Sequence, residues 1–257
     1  MVSRHLLVIL NRVSPLKLFY HFFGLALVAR VVSDIFEVHR WSIHLGEIFP
    51  YRHLFEFIPL YSTSLLVVEW GLLLIGALLI FRGKNRWGSA FALVGLVMSL
   101  SQMFQNQKVL LTLVAFALTV GPRLNENALF KKNDTANFLK WQILLIYLIS
   151  AVSKIFDQFQ SGETLRIMSE QLLLQDIGSR EIYSVGAWLV ILVELALPLL
   201  LLTRPRLGIA GVVLVHGGFS LFLSDIWPFS LAMIALSFLF LKSPDSKIPD
   251  QRLVEIT

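Results

Sequence analysis

Cysteine is absent from the 257 residues, which excludes disulfides, thiolate metal sites and cysteine nucleophiles together. Charge is scarce as well: 15% of the side chains are charged and 56% are hydrophobic. A soluble domain needs more polar surface than that. No polar stretch reaches the roughly 50 residues of a small independent domain, so a large catalytic domain outside the apolar runs is excluded. The chain has no phosphate-cradling glycine loop, serine elbow or dinucleotide fingerprint, and soluble-enzyme chemistry finds no support. Its apolar runs do not alternate with polar residues, so barrel strands are not expected.

What is there is a series of long apolar runs. Crossing about 30 Å of hydrocarbon takes roughly 20 mostly apolar residues in a helix. Runs near 16–33, 60–81, 87–104, 108–121, 139–157, 184–203, 207–224 and 226–241 predict an all-α integral membrane protein, a bundle of about eight transmembrane helices. Residues 1–257 read as one multi-pass domain with a core over 16–241, a lead-in over 1–15 and a tail over 242–257. The apolar stretch Leu6–Leu10 is too short for a removable signal peptide. With the N-terminus inside, 15 Lys and Arg residues fall on the cytoplasmic side and 6 on the outer side, so both termini are expected in the cytoplasm. The net charge of +5 is thereby explained by topology, and no nucleic-acid partner is expected. A cell membrane, of the bacterial inner-membrane kind, is the expected location and the bilayer the expected partner.

On this topology the outer face carries the two longest connections, 34–59 and 158–183. The first holds His39, His44, Glu47 and His53. Their spacing matches no zinc signature, and no metal site is expected. An interfacial loop with Trp41 and Tyr51 as belt aromatics is the simpler reading.

A charged side chain in mid-span costs on the order of 2.5–3.5 kcal/mol on insertion scales, so each one needs a reason. Glu69, Glu194 and His216 lie near mid-span, with Arg30 and Lys154 in the outer halves of theirs. Lys154 shares a helical face with Tyr147, Ser150 and Ala151. Either it snorkels to water or pairs with Asp157, or its amine is desolvated and acts as a base. Glu194 precedes Pro198 by four residues, which frees a backbone carbonyl and suits a cavity wall; the alternative is helix–helix glue. Glu69 has the same two readings, with Gly71 and Gly76 nearby for close helix approach. His216, beside Gly217 and Gly218, is either a neutral core group or a ligand. Arg30 snorkels or pairs with an acid. Clustering in one cavity would lower the cost of Glu69, Glu194, His216 and Lys154 together.

The run WQILLIYLISAVSKIFDQFQSGETL, residues 141–165, resembles the central signature of the HTTM family, the membrane domain shared with vitamin K-dependent gamma-carboxylase. FYHFFGLALVARVVSDI, LGEIFP, FRGKNRWGSA, VELALPLLLLTRPR and VHGGFSLFLSDIWPFSLAM fall around it in the family's order. The resemblance implies that Lys154 is the base or amine working with a quinol such as reduced vitamin K, and that His216 and Glu194 match the family's intramembrane histidine and acid. Where the carboxylases carry Asn-Asn-His, this chain has Gln105, Asn106 and Gln107, an amide in place of a proton-exchanging group. No counterpart of their lumenal substrate-holding region is found before Thr257, so a full carboxylase is not implied.

Three classes of function follow. The first is a lipid- or quinol-linked membrane enzyme, carboxylase-like, with Lys154, His216 and Glu194 catalytic and Glu69, Tyr147, Ser150, Gln107 and Arg30 lining an outward-facing cavity for a quinone or lipid. The second is a non-catalytic membrane subunit or assembly factor. A transporter is the third, but its expected inverted halves and broken helices are not evident.

Overall fold

A computed structural model describes residues 14–43, 63–102, 106–124, 133–173, 179–222 and 226–241. Among these, no residue is in a strand and nine α-helices follow one another: α1 Pro15–Ile43, α2 Thr63–Phe81, α3 Asn85–Gln102, α4 Asn106–Val120, α5 Asp134–Phe156, α6 Glu163–Leu173, α7 Arg180–Thr203, α8 Pro205–Phe222 and α9 Trp227–Ser237. Short 3₁₀ turns cover Phe159–Ser161 and Phe238–Phe240. The fold is all-α, as the sequence predicts. Pro15–Phe36, Ser64–Phe81, Asp134–Phe156 and Arg180–Thr203 are long and apolar enough to cross a membrane, while Gln107–Val120 and Trp227–Phe240 are shorter apolar helices.

Local chemistry sets the helix ends. The Lys17 N–H donates to the Ser14 hydroxyl at 3.3 Å, just ahead of Pro15 at the first helical position. Asn133 caps α5 by accepting from the Ala136 N–H at 3.0 Å. The α2–α3 turn closes on Gly83 at φ +74°, whose N–H donates to the Ile80 carbonyl at 2.9 Å. Helices α2 and α3 meet glycine to glycine: a Cβ on Gly76 would lie 2.8 Å from the Gly88 carbonyl oxygen. Gly71, by contrast, faces open space.

Helix α9 packs against α1, α4, α5 and α8, and its Ala232–Leu236 stretch is buried throughout. A uniformly apolar helix buried on all sides is the expected centre of such a bundle. The outside is apolar as well, with Leu214, Ile149 and Leu199 at 75%, 63% and 62% exposure. That surface suits a hydrocarbon solvent and not water.

Three expectations are corrected. Helix α1 continues to Ile43, so the connection expected from residue 34 begins as helix and carries His39 and Trp41 on it; no Gly or Pro interrupts the run before Gly46. His44, Glu47, Tyr51 and His53 lie outside the described residues. Helices α5 and α7 start about four to five residues earlier than the apolar runs indicate, because polar first turns are tolerated where caps and solvent supply partners. The connection expected over 158–183 contains α6, whose sequence ETLRIMSEQLL is amphipathic and supported by Arg166 donating to Glu163 at 2.6 Å and bonding Glu170.

Candidate functional site

Helices α5, α7 and α8 bring five polar side chains together. The Lys154 ammonium donates to both carboxylate oxygens of Glu194, each at 2.8 Å, and to the Ser150 hydroxyl at 2.5 Å. Ser150 in turn donates to Glu194 at 3.2 Å. One turn along the same face of α5, the buried Tyr147 hydroxyl shares a 2.8 Å hydrogen bond with His216 Nε2 of α8. His216 Nδ1 is buried without a protein partner, and its ring meets Phe229 edge-on at 5.6 Å.

The sequence explains this placement. Tyr147, Ser150, Ala151 and Lys154 repeat at helical spacing, and Ala151, fully buried, keeps α5 close to its neighbours. Glu194 sits one turn before Pro198, which has no N–H to offer the Glu194 carbonyl. Above Lys154, the 3₁₀ turn sets the Phe159 ring 5.7 Å from the ammonium. That turn is tied to α7 by the Ser184 hydroxyl donating to the Gln160 carbonyl at 2.8 Å. Gly162, at φ +80°, lies so near Tyr183 and Ser184 that a Cβ would approach their backbone to 2.4 Å.

Glu194 also borders a cavity of about 310 Å³ between α7 and α8, whose other walls include Leu189, Val193, Val215, Gly218 and Phe219. The pairing changes the expected partner of Lys154. It is neither free nor paired with Asp157; its side chain, 23% exposed, is held by a carboxylate from a different helix.

The remaining expected residues belong elsewhere. Arg30, fully buried, donates from Nε to Asp34 at 3.0 Å and makes a second contact with the same carboxylate. Lys108 approaches Asp34 at 3.9 Å and donates to the Ser99 carbonyl at 3.4 Å. Glu69 is buried on the neighbouring α2. Gln107 stands beside Lys108 in the first turn of α4. The single shared cavity expected from the sequence is therefore two groups: one on α5, α7 and α8, the other on α1, α2 and α4. Asp34 falls in a segment expected to be a connection, and Lys108, at the outer edge of the run 108–121, counts there only toward topology; the i,i+4 spacing of Arg30 and Asp34 is the signal that could have found the first. Among the described residues no three His, Cys, Asp or Glu side chains gather as a metal site. Comparison with family models, with curated proteins and with solved structures gave no match to this chain.

Proposed function

We propose that this is a multi-pass membrane enzyme of the HTTM type, acting on or with a quinol or other lipid, with both termini cytoplasmic and about eight helices crossing a cell membrane. The observation that carries the reading is the convergence of Lys154, Glu194, Ser150, Tyr147 and His216 into one polar cluster whose Glu194 borders an apolar cavity. These include all three residues that the family resemblance makes catalytic.

The donor set fits a quinol. Glu194 supplies a charged acceptor on the cavity wall, and Val193, Val215 and Phe219 supply walls for an apolar ring or tail; His216 Nδ1 lies buried behind it without a protein partner. A bound quinol would bring two ionisable hydroxyls and a pair of electrons. Lys154 and Glu194 would hold and exchange a proton across their 2.8 Å contacts. Tyr147 would orient His216 through Nε2, fixing its tautomer. Ser150 keeps the ammonium and carboxylate in register.

A second reading has its own support. An ammonium bonded to both oxygens of a carboxylate on another helix, and capped by Phe159, is also a staple between α5 and α7, as a non-catalytic membrane subunit would need. Turnover of a reduced naphthoquinol or benzoquinol by the purified protein in nanodiscs separates the two. Turnover, with quinone or lipid co-purifying in stoichiometric amount, supports the enzyme; co-purification of a stoichiometric protein partner without turnover supports the subunit.

A further inference from the structure

At the end of the bundle where α4 finishes, the start of α1, the α2–α3 turn and the residues after α4 enclose a cavity of about 390 Å³. Its wall carries Lys84, Arg86 and Arg123 with Tyr20 and Asn85, and no carboxylate. None of the three cations makes an ion pair among the described residues. One of them is fixed in place: Arg86 Nε donates to the Thr119 carbonyl at 3.0 Å, which leaves the guanidinium's Nη1 and Nη2 for another acceptor. Three exposed positive charges on the wall of one cavity, with no carboxylate among them, favour an anion there.

The source of that anion is indicated by what adjoins it. Trp87, Phe91 and Val94, at 70%, 38% and 53% exposure, stand at i, i+4 and i+7 along α3 and form an apolar stripe leading away from the cations. A cationic cavity with an exposed tryptophan at its rim and an apolar track running along a helix is the arrangement of a headgroup site at a membrane interface. A soluble phosphate would use the cations and ignore the stripe. We propose that this cavity binds the phosphate of an anionic phospholipid through Lys84, Arg86 and Arg123, with an acyl chain along Trp87, Phe91 and Val94. The inference rests on the membrane reading and is independent of the chemistry assigned to Lys154.

The test is native mass spectrometry of the full chain titrated with phosphatidylglycerol or phosphatidylcholine in neutral detergent. The wild type should retain phosphatidylglycerol preferentially. Arg123→Gln should weaken retention about fivefold, and Lys84→Gln, Arg86→Gln and Arg123→Gln together on the order of a hundredfold. Trp87→Ser should weaken it with every charge kept, whereas Arg204→Gln, an exposed cation outside the cavity, should change nothing. Because the triple variant can fail to insert, the two single variants in the cavity decide. Equal retention of both lipids, loss in Arg204→Gln as large as in Arg123→Gln, or displacement by soluble glycerol phosphate at matching concentration would overturn the proposal; the last outcome identifies a soluble-anion site instead.

Discussion

Two groups of charged side chains lie inside this bundle, and they differ in how they are closed. In the α1–α2–α4 group, Arg30, Glu69 and Lys108 are 0%, 2% and 4% exposed, and both cations approach Asp34. The α5–α7–α8 group leaves the Lys154 side chain 23% exposed, sets Glu194 against a cavity and leaves one nitrogen of His216 without a protein partner. Buried charges paired with one another and shut off from solvent can hold helices in register and offer little to a ligand. Charges that keep an open side can take part in binding and proton transfer. The contrast leaves the second group, and not the first, with groups available to a ligand, as the proposed function requires.

The largest effect should come from breaking the closed group. Arg30→Met leaves the Asp34 carboxylate buried with half its partners gone, a loss of about 3–5 kcal/mol and, for a chain of this length, roughly 10 °C in melting temperature. Thermal unfolding in detergent measures it. Arg30→Met with Asp34→Leu should recover most of the loss; no recovery would show that the pair is needed for more than mutual neutralisation.

A smaller loss of stability is expected in the open group. Lys154→Met strands Glu194 next to a cavity where it can take up a proton, so the cost should be about 1–2 kcal/mol, and Lys154→Met with Glu194→Gln should cost no more than the single change. If Lys154→Met instead destabilises as much as Arg30→Met, the two groups are alike and the distinction fails.

Filling the cavity sharpens the comparison without touching any charge. A Cβ at Gly218 meets nothing within 4 Å, so Gly218→Leu should leave the melting temperature within a few degrees, by about 1 kcal/mol or less, while removing any quinone that co-purifies with the wild type. Retention of that ligand in Gly218→Leu would place it elsewhere.

The smallest effect lies at the amphipathic α6. Hydrogen bonding to Arg166 holds the exposed Glu163 carboxyl below its usual range, so the stabilisation it gives is present at neutral pH, above the ordinary carboxylate value. It is lost as the pH falls through the lowered folded value. Amides of 163–173 should exchange slightly faster in Glu163→Gln than in the wild type at pH 7, and the difference should vanish in acid.

How much of this could be read in advance depends on whether a contact is local. Composition and apolar run length gave the all-α class, and helical spacing placed Tyr147, Ser150 and Lys154 on one face. The partners across helices were not legible: that Lys154 meets Glu194, 40 positions away, and that Tyr147 meets His216, 69 positions away, are results of packing. Glu69 was grouped with Lys154 on cost alone, and cost does not say which neighbours share it. Lys84 and Arg86 were read only as topology signals, because a charge count carries no information about the cavity they line.

The division of labour between the two groups is tested most directly by Lys154→Arg in quinol turnover by the purified protein in nanodiscs, with melting temperature recorded on the same sample. A guanidinium can still bond both oxygens of Glu194 but stays protonated, with a pKa above about 12. Unchanged melting with turnover reduced at least about a hundredfold is expected if Lys154 exchanges a proton; unchanged melting with turnover equal to the wild type would contradict it and leave the pair as a staple.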